Sequence, residues 1–217
     1  MSGRTVTSLT NPTVKAVRAL HQRKTRDETG LFVAEGLKNV TEGVETGHAP
    51  EILLYGRDAA DHPLLQAAAQ ATHEAGGEVI EVTAEILAKV SRRDNPQAVV
   101  GVFPQVFTPL TALQPRLAKA WVALHRVRDP GNLGTIIRTA DAAGCGGVVL
   151  VGECCDPYSV EAVRATMGSI FAVPIARAGE AEFAAWRRDW PGSVVGTLLS
   201  AEVDHRSADY VHPALIL

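Results

Sequence analysis

Residues 121–151 read WVALHRVRDPGNLGTIIRTADAAGCGGVVLV, and this stretch decides the fold. It opens on an apolar run, Trp121-Val122-Ala123-Leu124, and closes on another, Gly147-Val148-Val149-Leu150-Val151. Between them Leu133, Ile136, Ile137 and Ala140 recur at helical spacing, which predicts a helix over 132–143 with one apolar face. Two continuous apolar strands joined by a helix indicate a parallel unit buried on both faces. The pattern continues downstream. Helices are expected at 158–167 and 180–188, strands at 171–175 and 193–198, and a last apolar run at 214–217. The fold class is therefore α/β with a mostly parallel sheet over residues 119–217.

Upstream, residues 1–103 also alternate helix and strand. Asn11-Pro12 is a helix start, because Asn caps and Pro suits the first turn. Val14, Val17, Leu20 and His21 share one face of that helix, with Lys15 and Arg18 on a neighbouring arc. Strands are expected near 30–36, 51–55, 78–82 and 97–103, and helices near 37–46, 63–75 and 84–90. Residues 104–118 hold Pro104, Pro109 and Pro115 and lack a strong period, which reads as a linker. The expected organisation is a small α/β domain at 1–103, a linker at 104–118 and the parallel α/β domain at 119–217.

Of the 217 residues, 46% are hydrophobic and 21% charged, ordinary for a globular protein. No apolar run approaches the roughly 18 residues that a membrane span needs, so no membrane partner is expected. Cys145, Cys154 and Cys155 make an odd count, which points to a reducing cytoplasm. Neither they nor the seven histidines have metal-ligand spacing, so no metal is expected. Trp186 and Trp190 at helical spacing read as core. The chain holds 21 Lys and Arg against 24 Asp and Glu. Six of the cations (Arg4, Lys15, Arg18, Arg23, Lys24, Arg26) and no acid fall in residues 1–26, giving +6 there and −9 elsewhere. A basic end on an acidic body is either a phosphate-binding site or a solvated helix face beside a basic loop.

In parallel sheets ligands bind beyond the carboxyl ends of strands. That directs attention to the loops after Leu124, Val151 and Thr197. After Leu124, the glycines at 131 and 134 do not fit G-x-G-x-x-G, which argues against a nucleotide-binding Rossmann enzyme. Gly134 and Arg138 stack one turn apart, so a substrate could approach the helix backbone beside a guanidinium suited to phosphate. Alternatively Gly131 and Asn132 merely form the turn and cap, with Arg138 solvated. His125, Arg126 and Arg128 lie in the same loop, and Ser91-Arg92-Arg93-Asp94 is a further basic turn.

NLGTIIRTADAAG (132–144) resembles the first signature motif of the SpoU (TrmH) family of RNA 2′-O-ribose methyltransferases in the SPOUT superfamily. Asn132, Gly134 and Arg138 take its key positions. VRATMGSIFAVPIAR (163–177) resembles the second motif through Thr166, Gly168 and Pro174. NPTVKAVRALHQRKTRDETGLFVAEG (11–36) resembles the opening of the family's RNA substrate-binding domain. The resemblance implies a trefoil-knotted domain that holds S-adenosylmethionine, a homodimer, and RNA as substrate, rRNA before tRNA. It implies that Arg138 acts at the target ribose and its phosphate, with Asn132 ordering the loop around it. Thr197, Leu198 and Leu199 would form one wall of the cofactor pocket. Lys15, Arg18, Arg23, Lys24, Arg26 and Arg128 would bind RNA phosphates. The family's third motif is met only by a run like its opening strand, Ala214–Leu217, so the chain is expected to be a fragment with an incomplete knot. A non-catalytic RNA-binding module is the alternative function.

Overall fold

The computed structural model describes residues 4–198, 200, 201 and 203–217. The first half runs β1 (Arg4–Val6), α1 (Pro12–Ala19), α2 (Arg23–Thr29), β2 (Leu31–Glu35), α3 (Leu37–Glu45), β3 (Ile52–Gly56), α4 (Pro63–Glu74), β4 (Glu78–Val82), α5 (Ala84–Ser91) and β5 (Val99–Pro104). Its sheet has the order β1-β4-β3-β5-β2, with β5 antiparallel to both neighbours and the other pairings parallel. The second half runs β6 (Ala120–His125), α6 (Pro130–Ala142), β7 (Val148–Val151), α7 (Val160–Thr166), β8 (Ile175–Ala178), α8 (Glu180–Arg187), β9 (Val194–Val195) and β10 (Ala214–Ile216). These strands pair in the order β8-β7-β6-β10-β9, and every pairing is parallel.

Local chemistry explains most boundaries. The Asn11 side chain accepts the Thr13 N–H at 2.9 Å and Pro12 begins α1, which buries Val14 and Val17 and leaves Lys15 and Arg18 exposed. The basic stretch that follows is a second helix, not a loop, ended by Gly30 at φ +68°. Two expected strands moved. Residues 168–173 turn, so β8 starts only at Ile175, and β9 is two residues long. Apolar runs register burial, and these runs are buried in turns as well as in strands: Ile170 and Val173 are both core residues. The 104–118 segment is no free linker, since Leu110 and Leu113 pack with Trp121 of β6 and Phe183 of α8. Trp186 and Trp190 border that same cluster, their rings 5.2 Å apart.

The two halves share one core. Phe32 of β2 stacks on Tyr158, ring centres 4.6 Å apart, and one apolar cluster runs from Val40 and Phe103 to Leu133, Ile137 and Val163. The Tyr158 hydroxyl donates to the Val106 carbonyl at 2.6 Å, and burial pushes its pKa up to about 12. Two ion pairs cross the same junction. Arg164 of α7 grips Glu35 with contacts of 2.7–3.1 Å. Arg26 of α2 reaches Asp156 at 2.7 and 2.8 Å and the Leu20 carbonyl at 2.7 Å. Arg26 is therefore not the phosphate contact that its basic neighbourhood predicts. It is 4% exposed and its guanidinium is already satisfied.

Removing one partner of a buried pair leaves an uncompensated charge, which costs about 3–5 kcal/mol. Asp156→Ala is predicted to lower unfolding free energy by that amount in chemical denaturation, whereas Asp27→Ala, whose partner Arg23 is exposed, changes it by well under about 1 kcal/mol.

Candidate active site

In the second sheet the strand order reverses between β6 and β10. A parallel sheet opens a crevice at such a switch point, beyond the carboxyl ends of the strands. A cleft of about 580 Å³ lies there, within the usual range for a small-molecule site. Leu124 and His125 line it from the end of β6 and Val127 from the loop after it, Leu217 from just past β10, Thr197 and Leu198 from beyond β9, and Phe183 from α8. The structure thus brings the expected Thr197 and Leu198 to the cleft. Thr197 donates its N–H and hydroxyl to the Leu217 carbonyl at 2.8 and 2.7 Å. Leu199 lies outside the described residues.

The rim of the cleft is charged. His125 Nε2 and an Arg126 guanidinium nitrogen converge on Glu180 Oε1, each at 2.9 Å. The hydrogen bond from His125, then the Arg126 charge, hold the Glu180 carboxyl below its ordinary range. Arg126 takes φ +54°, rare for a non-glycine residue. Its N–H still bonds the Val151 carbonyl, so the chain kinks where β6 ends without losing its pairing. Cys155 N–H bonds the Val127 carbonyl at 2.7 Å, and the Cys154 thiol donates to the Leu124 carbonyl at 3.3 Å. The loops after β6 and β7 are therefore tied to one another.

The helix that follows starts earlier than its apolar period implied. Asp129, not Asn132, is the cap: its carboxylate accepts the Asn132 N–H at 2.6 Å, and Pro130 occupies the first turn. Asn132 and Arg138 are both exposed, and no side-chain hydrogen bond or ion pair engages either among the described residues. Neither lines the cleft. Gly134 does not offer an open face to substrate. A Cβ there would lie 2.3 Å from the Ala162 carbonyl oxygen and 2.6 Å from Ala165, so this glycine lets α6 and α7 cross in contact.

A second cleft, of about 380 Å³, opens where α2 meets the loops after β6 and β7. It collects Arg23, Arg128 and Arg177, with Glu153 as the acid on its wall. Arg23 and Arg128 are both exposed, with longer ion pairs to Asp27 (3.5 Å) and Glu153 (3.7 Å). Lys15 and Lys24 are exposed elsewhere on the basic end, as is Arg18. Sequence reasoning missed Arg177 and Glu180. Arg177 had a signal, a lone cation in an apolar strand. It is held between Asp156 at 3.3 Å and the Phe107 ring at 3.9 Å. Glu180 had none, because it follows its His125 partner by 55 residues and only the fold brings the two together.

Residues 119–216 match the SpoU rRNA Methylase family, and residues 11–101 match the MRM3-like substrate binding domain. A crystal structure of an rRNA methyltransferase from Sinorhizobium meliloti is 50% identical, with a TM-score of 0.91, and the match covers 100% of this chain and 81% of that one. The chain belongs to the SpoU rRNA methylase family. Within this family, an AdoMet-bound structure of the Sinorhizobium protein matches with a TM-score of 0.90 over 98% of this chain and 79% of that one. The SpoU methyltransferase AviRb from Streptomyces viridochromogenes, in complex with AdoMet, is 27% identical with a TM-score of 0.81, covering 95% of this chain and 80% of that one. A 23S rRNA guanosine 2′-O-methyltransferase of Bacillus subtilis is 31% identical, over 79% of this chain and 64% of the relative. The chain spans 60–64% of the length of the first curated relatives it matches.

Gly134→Ala tests the crossing of the two motif helices. Helix propensity alone predicts a gain of about 1 kcal/mol. The contact with a backbone oxygen predicts overpacking, so the variant should instead lose about 2 kcal/mol in chemical denaturation. A gain would show that α6 and α7 do not approach this closely.

Proposed function

We propose that this chain catalyses transfer of a methyl group from S-adenosylmethionine to a ribose 2′-hydroxyl of rRNA, acting as a homodimer in the cytoplasm. The observation that carries the reading is the 50% identity, across nearly the whole chain, to an rRNA methyltransferase with AdoMet bound. The residues present at the switch-point cleft fit that cofactor. Leu124, Val127, Phe183 and Leu198 offer apolar surface to a flat heteroaromatic ring, while His125, Thr197 and Glu180 offer polar edges. The three thiols are free, which fits a reducing compartment.

The cofactor supplies a methyl group already electrophilic on a sulfonium. The chain must position a weak nucleophile, the 2′-hydroxyl, and ease the loss of its proton. Arg138 is the group for that task. Its free guanidinium can hold the phosphate beside the target ribose and favour the alkoxide, while Asp129 rather than Asn132 orders the turn into α6. Geometry adds a condition. The crossover helix α6 leaves the carboxyl end of β6, and at 1.5 Å per residue Arg138 lies about 12 Å along it. Within one chain that carries Arg138 away from the cleft. A second copy, docked along the exposed face of α6, would bring an Arg138 and a cleft together. Lys15, Arg18, Arg23, Lys24 and Arg128 then present an exposed cationic track for the RNA backbone, which makes binding salt-dependent.

Arg138→Ala should lower kcat by at least about 100-fold, the scale of a lost transition-state charge contact. Calorimetry should find its S-adenosylmethionine affinity unchanged. Near-normal turnover in that variant would remove Arg138 from the mechanism.

A further inference from the structure

Methylation of a hydroxyl releases a proton, and the residues assigned so far include no acceptor for it. Arg138 can hold a phosphate and steady an alkoxide, but a guanidinium stays protonated and cannot serve as a base. The ionisable side chains that line the switch-point cleft are His125, Glu180 and Arg187. Thr197, Leu198 and Leu217, which border it from beyond β9 and β10, bring no ionisable side chain. Among these side-chain types, imidazole is the one that both takes up and releases a proton near neutral pH.

The geometry around His125 suits that task. Its Nε2 lies 2.9 Å from Glu180 Oε1. The hydrogen bond from His125, then the Arg126 charge, hold the Glu180 carboxyl below its ordinary range, so it is a carboxylate and only accepts. Nε2 therefore carries the hydrogen of that bond. In a neutral ring this leaves Nδ1 with a bare lone pair, and no hydrogen bond engages Nδ1 among the described residues. The fold fixes the frame of the pair. His125 ends β6, Glu180 opens α8, and the Arg126 N–H bonds the Val151 carbonyl at 3.1 Å. Of the charged groups around the ring, Glu180 and Arg187 come from α8 and Arg126 from the loop that His125 begins. About half of the His125 side chain is exposed, so the ring is open to a ligand in the cleft. An imidazole with one nitrogen held by a carboxylate and the other free is the arrangement of a general base.

We propose that His125 Nδ1 takes the proton of the target ribose 2′-hydroxyl, with Glu180 as the positioning residue that fixes the tautomer and favours the imidazolium. The O–H bond breaks and leaves its electron pair on oxygen. That oxygen bonds to the methyl carbon, whose bond to sulfur breaks with its pair left on sulfur. The positive charge lost from the sulfonium reappears on the imidazolium, which then releases its proton to water. Arg138 steadies the oxygen while the proton leaves. The assignment rests on the function proposed above.

The test is the pH dependence of kcat for the full-length protein at saturating S-adenosylmethionine and rRNA transcript. The His125 imidazole is titrated in parallel by NMR in the cofactor-free protein. Wild-type kcat should rise with pH and level off as one group loses its proton. His125→Gln should lower the plateau by at least about 100-fold and abolish that rise. Added imidazole should restore part of the turnover of His125→Ala, which a merely structural role would not allow. Glu180→Gln removes a charge that favours the imidazolium, so the rise in kcat and the NMR titration should move together to lower pH. Both side chains are about half exposed, so neither replacement opens the core. Near-normal kcat in His125→Gln, or a pH rise that survives it unchanged, would overturn the proposal. So would an imidazole titration that Glu180→Gln leaves in place. Absence of methyl transfer by the wild type would overturn the proposed function itself, and this assignment with it.

Discussion

Asp156 receives Arg26 from α2 on one side and Arg177 from β8 on the other, and almost none of it meets solvent. A carboxylate so placed fixes three elements at once: the basic helix, the loop that enters α7 and the strand beneath the arginine-lined cleft. Without it two guanidinium groups would face each other across a buried gap. The Arg164–Glu35 pair does the same on the other side of the shared core, where burial pushes the Glu35 carboxyl up and Arg164 draws it back. Buried ion pairs rarely add net stability compared with apolar packing. What they supply here is a single geometry between the half that matches a substrate binding domain and the half that carries the cleft. Orientation matters for the proposed reaction, which depends on placing one hydroxyl in line with one methyl group.

The second sheet provides the cleft in which the proposed reaction would occur. Parallel strands put all their carboxyl ends at one edge, and the reversal between β6 and β10 opens the cleft there. The kinked backbone at Arg126 and the bonds between the loops after β6 and β7 then fix the rim. The same topology carries α6 away from the edge. Thus the cleft and Arg138 are separate features of one chain, and the proposed homodimer is what would unite them.

Much of this was legible in the sequence. The strands β6 and β7 and the helix between them follow from continuous apolar runs flanking a 3.6-residue period, and β4 was placed residue for residue. Period and burial are local signals. Failures came where a long-range contact decides. Arg26 looks like its basic neighbours, and only Asp156, 130 residues later, makes it a core residue. Gly134 looks like an opening for substrate, and only the carbonyl of Ala162 shows that it is a helix contact. Strand topology directs attention to the loop after Leu124 and the end of β9, and both border the larger cleft; Arg23 and Arg128, singled out by charge, line the smaller one. Arg177 and Glu180 needed the fold.

The measurement that bears most directly on the function is nucleoside analysis of rRNA after incubation with the protein and isotopically labelled S-adenosylmethionine. Digestion to nucleosides followed by mass spectrometry locates the label. The account predicts label on ribose, as a 2′-O-methyl nucleoside that appears in one or a few sequence contexts. Label on a base, or none above a protein-free control while the cofactor is shown to bind, would contradict it.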